Sequence, residues 1–231
     1  MVKWKDFIRM IQVCQINKNY GKNVILSNIN FEAKAGESVA VVGRNGTGKS
    51  TLIKIMAGVI KASSGTLSYF ENSILENKKL FRKYCGYVPQ DNALIEELSV
   101  LDNLKLWSGG KRHLDRDFLD RFGLTEILSV KVSNLSGGMK RRVSIVCAIS
   151  HLPPVLLLDE PTTALDIFYK DEIHKILKEY KKNKGIIIYT THDEREIIES
   201  DRTLLLKKGI LKELNHNEKD IETLHNLMIC D

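Results

Sequence analysis

The chain reads as α/β: a mostly parallel sheet around a phosphate-binding loop, with an N-terminal antiparallel β subdomain and a helical subdomain insertion. Three observations carry that reading. Apolar runs at 155–158 and 185–190 flank an amphipathic segment at 167–182, and strands alternating with helices imply a parallel sheet covered on both faces. The first quarter holds strand-like runs at 8–16 and 24–42 instead, broken by the turns Tyr20-Gly21-Lys22-Asn23 and Lys34-Ala35-Gly36-Glu37. Between these regions, residues 91–134 turn richer in Leu, Asp and Glu at helical spacing.

In chain order, Ser38-Val39-Ala40-Val41-Val42 is a short buried strand, and Leu52-Ile53-Lys54-Ile55-Met56-Ala57 has a helix's apolar face. Gly65-Thr66-Leu67-Ser68-Tyr69-Phe70 is a further strand, and Tyr84 to Val88 another that ends at Pro89. The insertion contains a Gly109-Gly110 break and continues into a helix from Ser136 to His151, so the helical subdomain covers about 91–150 of a single domain at 1–231. Thr203 to Leu214, with Lys207-Lys208-Gly209 in the middle, reads as a hairpin. The tail from Glu218 to Met228 has apolar residues at 221, 224, 227 and 228 and reads as a short amphipathic helix.

Bulk properties exclude several classes. With 231 residues the chain can bury a sizeable core. No apolar run approaches the roughly 18 residues of a membrane span, and Met1-Val2-Lys3-Trp4-Lys5-Asp6 lacks a signal peptide's apolar core. The four cysteines, at 14, 85, 147 and 230, never pair as C-x-x-C. Cys14 and Cys147 lie in apolar sequence and are expected to be buried, reduced thiols of a cytosolic protein. The net charge of +6 suits nucleic acid or an anionic membrane face. The lysines are spread along the chain rather than blocked, which is weak support for a nucleic-acid patch.

The sharpest motif is Gly43-Arg44-Asn45-Gly46-Thr47-Gly48-Lys49-Ser50-Thr51, the spacing G-x-x-x-x-G-K-[ST]. Glycines let a loop wrap a phosphate chain so that backbone N–H groups face its oxygens. Lys49 then sets a cation on the outer phosphates, and Ser50 offers a hydroxyl to Mg²⁺. A helix beginning at Lys49 adds its positive end. With the flanking strand and helix in place, this is the core of a P-loop NTPase.

Other constellations are weaker alone. Val155-Leu156-Leu157-Leu158 ends in Asp159 and Glu160. Such a pair is usually a solvated strand end, but beside a phosphate loop Asp159 suits Mg²⁺ and Glu160 suits a water to be deprotonated. His192 follows the 185–190 strand, which delivers it to the edge of the sheet where α/β ligands bind; a lone histidine is more often structural. Leu135-Ser136-Gly137-Gly138-Met139 opens a helix with Ser136 as N-cap. Lys140, Arg141 and Arg142 crowd its first turns against the macrodipole, which makes sense if an anion sits there or if the side chains spread into solvent.

Taken together and in order, these motifs resemble the ATP-binding subunit of ABC transporters over nearly the whole chain. Residues 43–51 are similar to that family's Walker A motif and 135–139 to its signature motif. Asp159 and Glu160 match the Walker B aspartate and catalytic glutamate, Gln90 the Q-loop, Ala164-Leu165-Asp166 the D-loop, and His192 the switch histidine. Tyr20 resembles the aromatic that stacks on adenine. The resemblance implies ATP and Mg²⁺ as ligands, with Ser50, Gln90 and Asp159 toward the metal and Lys49, Glu160 and His192 as catalytic groups. It implies two cassettes paired head to tail, each ATP held between one Walker A loop and the partner's Ser136, Gly137, Gly138 and Met139. The pairing would be a homodimer or two different ATP-binding subunits, docked through the helical insertion to a transmembrane permease on the cytoplasmic face of the membrane, with no nucleic acid bound. Met139 stands where Gln is commoner, and Leu-Ser-Gly-Gly-Met-Lys-Arg resembles an exporter branch. Thr163, where Ser or Gly is usual, is expected to matter little. The competing reading is a soluble ABC-type ATPase acting on nucleic acid or the ribosome.

Overall fold

The structure is a computed structural model. It describes residues 10–75, 77–91, 93–109 and 116–215, together with 218, 223, 224, 226 and 227. The chain opens with β1 (Met10–Tyr20) and β2 (Asn23–Lys34), joined by the expected tight turn, then β3 (Ser38–Val42) and α1 (Lys49–Met56). Next come β4 (Ser64–Tyr69), β5 (Asn72–Ser73), α2 (Lys78–Tyr84) and β6 (Cys85–Val88). The helical stretch supplies α3 (Val100–Ser108), α4 (Arg116–Arg121) and α5 (Gly137–Ile149). The chain returns through β7 (Val155–Asp159), α6 (Ile167–Lys182), β8 (Ile186–Thr190), α7 (Glu194–Glu199), β9 (Arg202–Lys207) and β10 (Ile210–Leu214).

Two sheets result. One is antiparallel, in the order β2-β1-β4-β5. The other runs β10-β9-β3-β8-β7-β6, parallel except for the hairpin strand β10. Every residue of β3, β7 and β8 is buried, because both faces of the sheet are covered. Alternation along the strands sorts their side chains. Val39, Val41, Leu157, Ile186 and Ile188 join α1 and the antiparallel sheet, whereas Ala40, Leu156, Leu158, Ile187 and Tyr189 join α3, α4, α5 and α6. The register sets Val88 beside Leu158, Leu158 beside Tyr189, and Asp159 beside Thr190. The segments leaving β3, β6, β7 and β8 therefore emerge at one sheet edge.

Helix α6 spans the expected 167–182. Gly109 closes α3 in the left-handed region, φ 66°; its neighbour Gly110 lies outside the described residues. One expectation changes. Cys14 is exposed, not buried, because Val13 and Ile16 take the inward positions of an irregular β1 while Cys14 faces out; Cys85 and Cys147 are buried thiols. In the tail, Leu224 and Leu227 pack beside Val42, Ile197, Leu205 and Leu214, while Ile221 and Met228 lie outside the described residues.

Candidate nucleotide site

The loop between β3 and α1 is built for close approach. Gly43 has φ 152°, and a Cβ there would stand 2.3 Å from the Leu206 carbonyl oxygen. Gly48 is the N-cap of α1, in the left-handed region and without a side-chain cap, so the first amides of the helix are left for a ligand. Thr47 Oγ1 donates to the Arg44 carbonyl at 2.9 Å and pins the turn, while Arg44, Asn45 and Gly46 are exposed. Lys49 is 5% exposed. Its Nζ donates to the Gly43 and Arg44 carbonyls at 2.8 and 3.2 Å, which holds the ammonium inside the curve of the loop. Burial pulls its pKa below the ordinary lysine value, opposed by Glu160 and Asp159. Thr51 lies one residue further along α1, half-buried.

Across the sheet edge, Ser50 Oγ donates to Asp159 Oδ1 at 3.0 Å. The same oxygen accepts from Thr190 Oγ1 at 2.6 Å. Glu160 turns out of line with φ 49°, a conformation that costs a residue with a Cβ ~1–3 kcal/mol unless its surroundings fix it. Its amide donates to the Thr190 carbonyl and to Thr190 Oγ1, at 3.1 and 3.0 Å. Three groups ring its carboxylate: Thr163 Oγ1 donates at 3.0 Å, Gln90 Nε2 at 3.4 Å, and His192 Nε2 stands 3.5 Å from Oε1. Burial, and then the Lys49 ammonium, pull the His192 pKa down, with Glu160 opposing; the imidazole is neutral near neutral pH. Gln90 thus faces Glu160 rather than the Ser50–Asp159 pair. Thr163, expected to matter little, is a direct partner of Glu160.

The segment at 135–139 also meets its own chain. Ser136 Oγ caps α5 by accepting from the Met139 amide at 3.2 Å, and donates its proton to Tyr169 Oη at 3.1 Å. Gly138 is packed beneath that ring, where a Cβ would fall 2.2 Å from Tyr169 Cδ2. Gly137 is exposed, and Met139 packs against the core of the helical region.

The three cations that follow serve protein partners, neither an anion nor solvent. Lys140 Nζ pairs with Glu96 at 2.7 Å, and Arg142 Nη1 donates to both carboxylate oxygens of Glu172 at 2.9 and 3.0 Å. Arg141 turns inward to backbone carbonyls at the ends of β6 and β7.

Asp166 caps α6, accepting from the Tyr169 amide at 3.1 Å. Tyr20 is 52% exposed at the end of β1, with Lys18 Nζ 4.7 Å from its ring centroid.

Sequence reasoning did not single out Thr190 or Tyr169, and it read Arg141 only as one of three cations for an anion or for solvent. The first had a signal in Thr190-Thr191, two hydroxyls ending the apolar strand Ile186-Ile187-Ile188. The ring of Tyr169 carried none, because its target lies 31 residues upstream, at Gly138.

A loop of this curvature at the head of a buried helix, with a lysine inside it and a hydroxyl–carboxylate pair beside it, defines a P-loop nucleoside triphosphatase. The family model described as "ABC transporter" matches residues 26–163. Linearmycin resistance ATP-binding protein LnrL of Bacillus subtilis (strain 168) is 34% identical over 195 residues, 81% of this chain and 63% of LnrL. The chain thus spans less than two thirds of that relative's length. The probable iron export ATP-binding protein FetA of Escherichia coli (strain K12) is 36% identical over 206 residues, 86% of this chain and 91% of FetA. The aliphatic sulfonates import ATP-binding protein SsuB 1 of Paraburkholderia xenovorans (strain LB400) stands at comparable identity, 35% over 204 residues, 86% of this chain and 58% of SsuB 1. Among solved structures, a post-hydrolysis dimer of the ATP-binding cassette MJ0796, bound to ADP and Pi, superimposes with a TM-score of 0.80 at 27% identity, covering 89% of this chain and 98% of that one. The chain belongs to the ABC transporter family, whose ATP-binding and ATP-hydrolysing cassette it carries.

The residues present fit Mg²⁺. A serine hydroxyl and a carboxylate, hard oxygen donors, meet at the mouth of the phosphate loop. Among the described residues, no helix is long and apolar enough to cross a membrane.

Proposed function

We propose that this chain drives a membrane transporter: paired cassettes close around ATP, hydrolyse it and reopen, moving a separate transmembrane permease. The observation that supports this most is the convergence of Lys49, Ser50 with Asp159, Glu160, Gln90 and His192 at one sheet edge. ATP is the substrate. Lys49 and the bare amides of α1 bind its β- and γ-phosphates, while Arg44, Asn45, Gly46, Thr47 and Thr51 shape the loop around them and Tyr20 stacks on the adenine. Ser50 and Asp159, with Gln90 nearby, would hold Mg²⁺, which supplies charge neutralisation at the phosphates. Glu160 accepts a proton from the attacking water, and neutral His192 donates to the γ-phosphate oxygen. Ser136, Gly137, Gly138 and Met139 face the nucleotide of a second cassette, identical or paired, and Asp166 sits at the same seam.

Gln90 joins the hydrolysis site to the helical segment beginning at 91, where the permease docks, and the chain works at the cytoplasmic face of the membrane. Export is favoured by Leu135-Ser136-Gly137-Gly138-Met139-Lys140-Arg141 and by the name of FetA, a probable iron export protein.

The test is Glu160→Gln. Hydrolysis should fall by about 10²–10⁴-fold, the usual worth of a general base, while ATP still binds and dimers accumulate on a sizing column. Normal turnover by this variant would remove Glu160 from its role. Co-purification with a polytopic membrane protein supports the transporter. Salt-sensitive binding to RNA or DNA instead would overturn it.

A further inference from the structure

We infer that Arg141 is a positioning residue for water activation: it locks the backbone turn that aims Glu160 and ties that turn to the Gln90 segment. The inference rests on the role proposed for Glu160. Arg141 lies in the second turn of α5, and its guanidinium reaches the C-terminal ends of β6 and β7. There Nη2 donates to the Asp159 and Glu160 carbonyls at 2.7 and 2.9 Å, and Nε to the Pro161 carbonyl at 3.0 Å. Nη1 donates to the carbonyls of Pro89 and Gln90. One planar cation thus spans five carbonyls in two segments that the pairing of β6 with β7 and the Gln90–Glu160 contact also join.

Two further facts give this geometry a purpose. Glu160 holds φ 49°, and the peptide units on both sides of its Cα are held, the amide by Thr190 and the carbonyl by Arg141. Among the described residues no carboxylate is hydrogen-bonded to Arg141; its compensating charges are Asp159, Glu196 and Glu160 at longer range, with burial weighing against the cation. A half-buried guanidinium spent on carbonyls gains little as an ion pair. What it supplies is a rigid fork, which a lysine's point charge does not reproduce.

The experiment is single-turnover hydrolysis of Mg-ATP by the full chain, with ATP affinity measured separately. Arg141→Gln should slow hydrolysis by about 100-fold, the cost of an ångström-scale misplacement, with ATP affinity held within about 3-fold. In a Glu160→Gln background it should remove less than a further 3-fold or so, since residues acting as a unit are not additive. Arg141→Lys should fall between Arg141→Gln and the parent, and it carries the same test should Arg141→Gln not fold. Amide exchange at Glu160 and Thr162 should quicken in either variant while α1 stays protected.

Hydrolysis near the parent rate, a loss of affinity in step with rate, losses that multiply with Glu160→Gln, or unchanged exchange at Glu160 and Thr162 would each overturn the inference. Failure of Glu160→Gln alone to slow turnover would instead strike the role of Glu160, and that arm is read by itself.

Discussion

Two helix N-termini in this molecule face opposite fates. Helix α1 begins at a glycine with no cap, and its one buried cation curls back over its own loop. Helix α5 begins at a serine that caps it, under a tyrosine ring, with every nearby cation paired inside the protein. The first is an open phosphate cradle that needs nothing further from the chain. The second has its capping serine engaged in cis, so the Ser136 proton can serve a nucleotide only by giving up a partner it already has. Uncapped amides and a carbonyl-bound ammonium are groups poorly provided for without a ligand, and that distinguishes a primary site from a completing one.

The largest effect expected from breaking this contrast is at Lys49. Lys49→Met removes a hydrogen-bonded cation worth ~3 kcal/mol toward a charged ligand, so ATP affinity should fall about 100-fold in equilibrium binding. The loop need not collapse, since Thr47 still pins the Arg44 carbonyl. Affinity within a few-fold of the parent would mean that the amides of α1 carry the phosphates alone.

The next effect belongs to the closed end. Gly138→Ala drives a Cβ to 2.2 Å from the Tyr169 ring, an overpacking worth ~1–3 kcal/mol. Thermal melting should drop by roughly 2–4 °C per kcal/mol for a chain of this size. Tyr169→Ala should restore most of the loss in the double variant. A neutral Gly138→Ala would show that the ring does not cover α5.

These two sites also differ in how far the sequence disclosed them. The cradle was legible because its chemistry is local. Gly43 through Ser50 are contiguous, and the strand and helix that aim them flank them directly. Asp159, Glu160 and His192 were legible because consecutive parallel strands end at one edge. The signature segment was legible as a motif, but its state was not. Lys140, Arg141 and Arg142 look alike in sequence, while their partners, Glu96, five carbonyls in two segments and Glu172, come from four separate places. Only tertiary packing tells a spent cation from a free one. Cys14 failed for a related reason: apolar neighbours in sequence do not decide which way a residue points on an irregular strand.

Titration sharpens the open half further. Burial and Lys49 hold His192 below the ordinary 6.5, with Glu160 opposing. Below 6.5 the unfolded chain would take up a proton that the folded site resists. This residue therefore favours folding above that pH and the advantage is lost as pH falls. The single-turnover rate should stay flat from about pH 8 down to 6.5 and decline only beneath it. A break above 6.5 would mean that Glu160, rather than burial and Lys49, governs the imidazole.

The smallest effect expected is the most specific to the comparison. Ser136 has one proton, and Tyr169 Oη holds it. A phosphate in a partner's cradle must compete for it. Tyr169→Phe keeps the ring over Gly138 and removes only that acceptor, so stability should move by less than ~1 kcal/mol. ATP-driven pairing, measured by sedimentation in a Glu160→Gln background, should tighten about 2–5-fold, since the hydroxyl no longer surrenders a bond of that modest net worth. Pairing that weakens would mean that Tyr169 presents Ser136 to the phosphate instead of withholding it, and the closed end would then be a template already set for its ligand.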